Sequence, residues 1–428
     1  VLDILYYPIL FFYFKLKVVS EVLVRRVEKH IIKENNEYFD MLIEFCYKSK
    51  NLYNHANYII RQEFIFNHKW IRYDELNTLL KVDTEYPDYK EMPTAQSAQQ
   101  TLKLADRNWK SYFKSIKDWK KNPEKYLGMP KIPNYIKNDR YILVLTNQNC
   151  RLKNNNIYFP KVFNGFTIKP IFNNRSDYHS FQQVRIIPHK HRIVIELVYN
   201  IKINTKEITD YDKYISIDIG INNLATVANN ISLPAFIING KPIKSINQFY
   251  NKQIAHYKSI CDVVNNIKYS NRMYRITDKR DSKITDYLHK ASRYIINWCL
   301  SNNIDAIIIG QNKGWKQEVN LKSQTNQNFT QIPFAKFIQL IQYKAEEKGI
   351  AVILTEESYT SGTSFIDNEE PVKEFYNKSR RKYRGMFKSN KGILINADLN
   401  GAYQIMKKVV PIKWNRGCAL QPFVVNIA

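Results

Sequence analysis

The sequence predicts an α/β and all-β multidomain protein, with an all-β part that carries helices in the N-terminal half and an α/β domain in the C-terminal half. Short apolar runs separated by Asn-rich or Pro-containing turns fill residues 141–203, a pattern typical of a barrel or a sandwich. Beyond residue 213, apolar β-runs alternate with helical periodicity, which indicates a sheet with parallel strands. A length of 428 residues allows two or three domains.

Two amphipathic helices are predicted before the β-rich region. Apolar residues recur at three- and four-residue steps from Leu42 to Ile60, which is the helical period. A second helix is predicted from Thr94, a suitable N-cap, through Trp119 and up to Asn122-Pro123, where it ends. Its polar positions are basic and form the strongest candidate nucleic-acid-binding surface of the chain: Lys103, Arg107, Lys110, Lys114, Lys117, Lys120 and Lys121.

The composition favours a polyanionic partner over a small neutral substrate. Lys and Arg number 65 against 39 Asp and Glu, a net charge of +26. The 30 Tyr, 22 Phe and 6 Trp supply rings that can stack on unpaired bases. The 5 cysteines are scattered, without a C-x-x-C pair, which argues against a structural zinc site and suits a reducing compartment. The apolar residues 1–14 are too short for a membrane span, and no later segment reaches 18 uncharged apolar residues, so we expect a soluble protein.

Carboxylates stand at the ends of apolar runs at three places in the C-terminal half. Asp218 ends one β-run just before Gly220, Glu356 and Glu357 follow another, and Asp398 follows a third at the start of a helical stretch. A buried strand tolerates a charge only if it is paired or binds a cation. Two-metal nucleases hold their ions about 4 Å apart on such carboxylates. The pattern therefore predicts metal-dependent phosphodiester chemistry.

The remaining elements of this half follow in a regular order. The polar residues 202–213 are interpreted as a linker into the first strand, 214–218, and a second β-run covers 224–227. Helical sequence over 246–303 precedes a strand at 306–309. We then predict a polar loop, 311–331, a helix opened by Pro333, and a strand at 350–354. Functional residues gather where the strands of such a sheet end.

Four segments of this half resemble TnpB, the transposon-encoded RNA-guided DNA endonucleases related to Fanzor proteins and type V CRISPR effectors. They are Ser216-Ile-Asp-Ile-Gly-Ile-Asn-Asn-Leu-Ala-Thr-Val227, Asn312-Lys-Gly-Trp-Lys-Gln317, Ser358-Tyr-Thr-Ser361 and Asn396-Ala-Asp-Leu-Asn-Gly-Ala402. In the N-terminal half, residues 108–120 and 127–133 resemble the recognition segment of the family. The resemblance covers nearly the whole chain.

The resemblance implies a RuvC-like RNase H fold nuclease domain, preceded by a β-barrel with an inserted helical recognition part. The implied domains are the first barrel strand at 1–20, the helical recognition insert at 21–138, the rest of the barrel at 139–206 and the nuclease domain at 207–428.

Carried over residue by residue, the resemblance makes Asp218 the first catalytic aspartate and Asp398 the last. Most TnpB proteins place the middle glutamate at the end of the strand that corresponds to 306–309, where this chain has Gly310. Part of the family instead places it on the next strand, three residues before a Thr-Ser pair, which is Glu357 in this chain.

Neighbouring side chains of a strand point to opposite faces, so only one of Glu356 and Glu357 can face Asp218. We choose Glu357 as the catalytic and metal-binding residue and keep Glu356 as the reserve. Glu318, in the polar loop, is a weaker alternative.

TnpB proteins commonly carry four zinc-binding cysteines between the Tyr-Thr-Ser motif and the last aspartate. The corresponding insert, residues 361–397, contains no cysteine, so no zinc is predicted and other contacts must hold it. Its basic cluster is a candidate for contact with phosphate: Lys378, Arg380, Arg381, Lys382 and Arg384.

The resemblance implies an RNA-guided DNA endonuclease that binds a guide RNA from the transposon end and double-stranded target DNA beside a short flanking motif. Asp218, Glu357 and Asp398 would hold two Mg²⁺ ions, for which Mn²⁺ can substitute, because hard carboxylate oxygens suit them. In a prokaryotic host we expect a cytoplasmic, nucleoid-associated protein without membrane contact. Two alternatives stay open. A nuclease-dead, RNA-guided repressor is motivated by Gly310, whereas a guide-independent resolvase or transposase does not account for the basic N-terminal half.

Overall fold

The structure is a computed structural model that describes residues 19–206, 211–265, 269–312, 323–383, 385–415 and 417–427. Residues 22–202 form one compact unit, and residues 203–428 with residues 1–21 form another. Most of the strand predicted at 1–20, together with Glu318 and Arg384, lies outside the described residues. Within these ranges, no helix combines the length and the apolar composition that crossing a bilayer requires.

The unit of residues 22–202 contains the two helices predicted from periodicity, and a shorter one lies between them. Its helices are α1 (Phe39–Asn67), α2 (Tyr73–Val82) and α3 (Ala95–Trp119). The start of α3 is fixed by a capping box, in which the Ser97 amide donates to Thr94 Oγ1 at 3.1 Å and the Thr94 amide donates to Ser97 Oγ at 3.2 Å. The fully buried Trp109 donates its indole N–H to Asn57 of α1 at 2.9 Å. Both predicted helices are confirmed.

The strands of this unit form two antiparallel sheets. They are β1 (Val19–Lys33), β2 (Leu143–Thr146), β3 (Arg151–Lys153), β4 (Asn156–Tyr158), β5 (Thr167–Ile168), β6 (Tyr178–Pro188) and β7 (Arg192–Lys206). The sheet orders are β1-β7-β6-β2 and β3-β4-β5. The helical recognition part was predicted to begin at residue 21. Because β1 continues to Lys33, the first helix begins only at Phe39. Likewise β7 reaches Lys206, so the segment interpreted as a linker begins as a strand. Closure into a barrel stays a prediction.

The unit of residues 203–428 is built on one mixed sheet. Its strands are β8 (Tyr214–Asp218), β9 (Asn223–Asn229), β10 (Phe236–Asn239), β11 (Ala306–Gly310), β12 (Ala351–Thr355), β13 (Arg381–Tyr383), β14 (Met386–Lys388), β15 (Leu394–Asn396) and β16 (Phe423–Val425). The main sheet has the order β12-β11-β8-β9-β10-β16, and β8, β11 and β12 are parallel. The predicted sheet with parallel members is therefore confirmed.

The described residues of this unit form five helices beside the sheet: α4 (Lys241–Ile260), α5 (Asn271–Ser301), α6 (Ser323–Gln331), α7 (Phe334–Glu347) and α8 (Ala397–Lys407). Helix α6 lies inside residues 311–331, for which we predicted a loop. Its sequence is almost entirely Ser, Thr, Asn and Gln, so it lacks the apolar periodicity by which a helix is distinguished from a polar loop.

Alternation along β8 separates the two faces of the sheet. Ile215 and Ile217 lie in the core cluster that includes residues of α5 and α7. Ser216 points the other way and donates its hydroxyl to the Ala402 carbonyl oxygen of α8 at 2.6 Å. Side chains two positions apart share a face of a strand, so Asp218 lies on the α8 face.

A buried ion pair organises the insert that precedes α8. Arg380 Nη1 lies 2.8 Å from Oε1 and 2.6 Å from Oε2 of Glu369, and the two side chains are only 15% and 10% exposed. The Ser364 amide also donates to the Glu369 carboxylate, at 2.8 Å, and Gln404 of α8 donates to the Glu369 carbonyl oxygen at 3.1 Å. The Glu369 hub, as we call these contacts, connects the insert to the helix that carries Asp398.

We expect Glu369→Ala to destabilise the unit of residues 203–428 by about 3 kcal/mol, because it leaves the buried Arg380 guanidinium without its counter-charge. Chemical denaturation of the two proteins measures this difference. Glu370→Ala is the matched control, since Glu370 is 61% exposed where it pairs with Lys407 and should cost less than about 1 kcal/mol. Equal effects of the two substitutions, or stoichiometric zinc in the purified protein, would contradict this role for the hub.

Candidate active site

Three elements of the unit of residues 203–428 deliver the predicted carboxylates. Asp218 is the last residue of β8, and Asp398 is the second residue of α8. Glu357 follows β12 by two residues. In the parallel pairing of β11 with β8, Ile309 is the partner of Ile217, so Gly310 is level with Asp218. The site thus lies where the parallel strands end, as expected for a sheet of this kind.

Asp218 is the most constrained of the three carboxylates. Helix α8 packs so closely against it that a Cβ added to Gly401 would lie 2.8 Å from Asp218 Oδ2. Burial raises the pKa of Asp218 well above its usual value, and the negative charges of Asp398 and Glu357 raise it further. The positive charge of Arg381 acts in the opposite direction. The structure therefore brings the three carboxylates into electrostatic contact around Asp218.

The side chain of Glu357 fills the space above Gly310. A Cβ added to Gly310 would lie 2.6 Å from Glu357 Cγ and 2.7 Å from its Oε1. The neighbouring Glu356 is exposed, and its carboxylate accepts a hydrogen bond from the Ser358 hydroxyl. Glu357, and not Glu356, thus occupies the volume beside Asp218. A side chain at position 310 and Glu357 in this conformation exclude each other.

Hydrogen bonds to its backbone fix the position of Glu357, whereas one of its carboxylate oxygens lacks a hydrogen-bond donor in the described part of the chain. Its amide donates to Asn312 Oδ1 at 3.0 Å, and its carbonyl oxygen accepts from Thr360 Oγ1 at 2.8 Å. Its Oε1 is buried and has no hydrogen-bond partner among the described residues. Burial raises the pKa of Glu357 to about 7, against an opposing effect of the Lys408 charge. A buried carboxylate oxygen without a donor is a site at which a cation would be stabilised.

Asp398 has two polar neighbours in addition to the other carboxylates. Asn223 Nδ2 donates to its Oδ2 at 2.7 Å, and Arg381 Nη2 donates to its Oδ1 at 3.2 Å. The start of α8 is fixed by Asn396, whose side-chain oxygen accepts from the amides of Asp398 and Leu399 at 3.1 Å. The helix N-terminus also favours a carboxylate at this position.

Sequence reasoning missed several of these neighbours. Asn223 and Gly401 lie inside the quoted motifs, but nothing in the motifs states what they contact. Lys408 carried no signal, because a lone lysine near a helix end is usually solvated. Arg381 was noted only as one member of a basic cluster.

The donor set suits a hard divalent cation. Within the described ranges, no three His, Cys, Asp or Glu side chains are already placed to hold one ion between them. Mg²⁺ does not need such a group, because it keeps several waters and binds through one or two carboxylates. The unsatisfied Glu357 oxygen and the mutual repulsion around Asp218 are both features that Mg²⁺ would relieve. The residues present therefore fit this cofactor.

In the unit of residues 22–202, the predicted basic residues of α3 are exposed. Lys103, Arg107, Lys110, Lys114 and Lys117 follow one another at steps of three or four, which places them on one side of the helix. This row, the α3 row, is about 21 Å long at 1.5 Å per residue. Lys120 and Lys121 are exposed just beyond the helix, which ends at Trp119. Lys110 is partly engaged, since it pairs with the buried Asp106 at 2.7 Å.

Two family models match the chain, in order and without overlap. Residues 198–316, which include Asp218 and Gly310, match the family OrfB_IS605, described as a probable transposase. Residues 334–405, which include Glu357 and Asp398, match the TNB domain of Cas12f1-like proteins.

Similar proteins cover more of the chain. The TnpB-like protein ORF457 of Acidianus two-tailed virus is 23% identical in an alignment 412 residues long, which covers 88% of this chain and 85% of that protein. The CRISPR-associated endodeoxyribonuclease Cas12f2 of Micrarchaeota archaeon (strain CG1_02_47_40) is 25% identical in an alignment 282 residues long, which covers 61% of this chain and 47% of that protein. Among solved structures, a cryo-EM structure of a Cas12f1-sgRNA-target DNA complex has a TM-score of 0.36 at 14% identity, covering 89% of this chain and 98% of that one.

One family model includes Asp218, and the other includes Glu357 and Asp398. The alignment with the TnpB-like relative extends over both compact units. The sequence motifs quoted above point the same way. The chain is thus similar to TnpB and Cas12f proteins, in the segments that carry Asp218, Glu357 and Asp398 and over most of its length.

Proposed function

We propose that this protein is an RNA-guided DNA endonuclease that hydrolyses phosphodiester bonds at Asp218, Glu357 and Asp398. The observation that carries the proposal is the meeting of these three carboxylates at one edge of the sheet, where burial and then the charges of Asp398 and Glu357 raise the pKa of Asp218. Perturbed carboxylates of this kind gather at catalytic sites. The names of the relatives, a TnpB-like protein and an endodeoxyribonuclease, support the same reaction class.

The order of elements supports a RuvC-like RNase H fold for the catalytic domain. The strand that ends in Asp218 is followed by the β9–β10 hairpin, helices α4 and α5, strand β11, helices α6 and α7, strand β12, the short strands β13, β14 and β15, and Asp398 at the start of α8. The end of the first strand and the start of the last helix carry the residues that the resemblance to TnpB assigns as the first and last catalytic aspartates. Domain boundaries at 206 and 207 and a barrel in the N-terminal half belong to the same proposal.

Asp218, Glu357 and Asp398 would hold the Mg²⁺ ions. When bound, these ions activate water and stabilise the leaving oxygen. Asn223 orients the Asp398 carboxylate through its 2.7 Å hydrogen bond. Arg381, partly exposed beside Asp398, provides a guanidinium that can donate hydrogen bonds to a phosphate oxygen of a bound strand. Glu357 lies where its unsatisfied oxygen can bind a cation without breaking an existing contact.

Specificity would come from a guide RNA derived from the transposon end. In this mechanism base pairing identifies the target strand, while the protein grips backbones and reads a short flanking motif. We assign the exposed α3 row to the guide RNA backbone, because a line of cations without base-edge readers suits phosphate contacts. Trp109 and the other buried residues of α3 act through folding instead.

The second candidate is an RNA-guided DNA-binding repressor without nuclease activity. Gly310 at the family's usual glutamate position motivates it, as does the pairing of Arg381 with Asp398. The placement of Glu357 over Gly310 favours the active enzyme, since it supplies the third carboxylate from the neighbouring strand.

Each of Asp218→Ala, Asp398→Ala and Glu357→Ala should reduce guided cleavage by at least about a hundredfold, because each removes a candidate metal ligand. Guided binding to the target should persist, since it depends on the basic surface of the α3 row and on base pairing. Cleavage of a labelled target duplex and gel-shift binding, both with guide RNA, measure the two properties separately.

The matched control is Glu356→Ala, which removes an exposed carboxylate one residue from Glu357 and should retain most of the cleavage. Undiminished cutting by either aspartate variant would exclude the proposed nuclease site. A wild-type protein that binds its guided target but never cuts it would instead establish the repressor.

Mg²⁺ should stabilise the folded protein more strongly at pH 8 than at pH 6. The folded-state pKa values of Asp218 and Glu357 are raised, the latter to about 7, above unfolded values of about 4. Without metal, their contribution to stability is therefore lost as the pH rises through the folded pKa, because the folded state binds more protons. Mg²⁺ favours the charged forms and should raise the melting temperature by about 2–4 °C, for about 1 kcal/mol of binding.

Differential scanning fluorimetry with and without Mg²⁺ tests this expectation. The control protein carries Asp218→Asn and Glu357→Gln, which remove both titrations while keeping the side-chain shapes. An equal Mg²⁺-dependent shift in this control would place the ion elsewhere.

The exclusion between Gly310 and Glu357 predicts a reciprocal effect of moving the glutamate. Gly310→Glu alone should inactivate the enzyme, because its Cβ would lie 2.6 Å from both Glu357 Cγ and Ile405 Cδ1. Adding Glu357→Ala removes the first clash, and the second involves only the far end of a side chain that can shift. The double variant should therefore recover cleavage to about tenfold above either single variant, a barrier difference of about 1.4 kcal/mol. Initial rates of guided cleavage measure this. A folded double variant as inactive as the single ones would mean that only the β12 position supports catalysis.

A further inference from the structure

Helices α4 and α5 form an arm that begins at the catalytic edge of the sheet. Strands β8 and β10 are both antiparallel to β9, so Asn239, the last residue of β10, lies at the same edge as Asp218. Tyr287 of α5 donates its hydroxyl to the Asn239 carbonyl oxygen. Helix α5 then leads to the start of β11 at the opposite edge, so the residues before Tyr287 extend away from the sheet on the catalytic side. From Asn271 to Tyr287 this is about 24 Å.

A groove with a cavity of about 580 Å³ runs between these two helices, and we call it the arm groove. Arg272, Arg275, Lys279 and Lys283 line it from α5 at steps of three and four, which places them on one side of that helix. Phe249 lines it from α4. The lining contains five Lys or Arg residues and no Asp or Glu, so the groove attracts anions.

The floor of the arm groove is fixed before any ligand binds. Arg280 donates from Nε to Asn247 Oδ1 at 2.8 Å and from Nη2 to the Gln331 carbonyl oxygen at 3.0 Å. Its guanidinium lies 5.1 Å from the ring centroid of Tyr250. These contacts connect α4, α5 and α6, and they give Arg280 a structural role that the outer cations do not share.

The stability of the fold does not explain why the outer side chains of the groove are exposed. Phe249 is 66% exposed, which is unusual for a large apolar ring beside cations. Lys279 and Lys283 are exposed, and neither has an ion-pair or hydrogen-bond partner among the described residues. Exposed rings next to a line of cations are what a single-stranded nucleic acid requires, since bases stack on the ring and phosphates bind the cations.

We propose that the arm groove binds single-stranded DNA next to the catalytic carboxylates, with phosphates on Lys279 and Lys283 and a base stacked on Phe249. This inference rests on the proposed nuclease function. An unpaired strand fits, because a base must leave its duplex to stack on a side chain. DNA rather than RNA fits, because the groove begins at the edge that carries Asp218, and the strand that reaches this edge is the one to be cut.

The test uses the full-length protein with a fluorescein-labelled oligothymidylate of about 15 nucleotides, and measures anisotropy over a range of salt concentrations. Lys279→Gln with Lys283→Gln should reduce the slope of log K against log salt by about 1.4, or about 0.7 for each lost phosphate contact. Phe249→Leu should weaken binding about tenfold at fixed salt, whereas Phe249→Trp should retain it, because stacking needs the ring and not its apolar bulk.

The matched control is Lys252→Gln with Lys258→Gln, which removes the same charge from exposed positions of α4 outside the groove lining and should leave the slope unchanged. An unchanged slope in the groove variant, or an equal loss in the control, would overturn the proposal. Tighter binding of oligouridylate or of duplex DNA than of oligothymidylate would overturn the assignment to single-stranded DNA.

Guided cleavage by the same proteins separates this inference from the proposed function. If the wild-type protein binds oligothymidylate through the groove but cuts no guided target, the nuclease proposal fails and the groove stands. If cutting depends on Asp218 but the groove variant binds and cuts as the wild type does, the groove proposal alone fails.

Discussion

The site depends on holding like charges close together. Asp218 is placed between Asp398 and Glu357, and each of those charges makes its ionisation less favourable. The chain can maintain this arrangement because the three carboxylates come from elements that are fixed independently by the core. Partial relief comes from Arg381 and Asn223 at Asp398. A divalent cation would reduce the remaining repulsion between the carboxylates, and this reduction would contribute favourably to the free energy of cation binding.

Backbone positions without side chains determine how the carboxylates reach one another. Gly401 lets α8 approach Asp218, and Gly310 leaves the space into which Glu357 extends. The acidic group therefore occupies the expected volume although it originates one strand away. A functional position in this fold is better defined by the volume that a side chain fills than by the residue from which it starts.

Much of the catalytic edge was predictable from local patterns, because an apolar run that ends in a carboxylate identifies a strand end, and Asn396 followed by helical sequence identifies a helix start. The choice between Glu356 and Glu357 was not predictable from such patterns. Alternation along a strand implies that the two side chains point to opposite faces, but it does not indicate which of them faces Asp218. The contacts of Lys408 and Asn223 join residues more than forty positions apart, and α6 lacks apolar periodicity. Barrel closure and the roles of the basic residues stay predictions.

The Glu369 hub has a consequence for how the insert responds to oxidants and chelators. The four zinc-binding cysteines that are common in TnpB proteins can be oxidised or lose their metal, whereas a carboxylate paired with a guanidinium responds to neither treatment. Because Arg380 of the hub is followed directly by Arg381, which contacts Asp398, the same ion pair also sets where Arg381 lies beside that carboxylate. This ion pair contains no thiol and no zinc ligand, so neither an oxidant nor a chelator acts on the contact that positions Arg381.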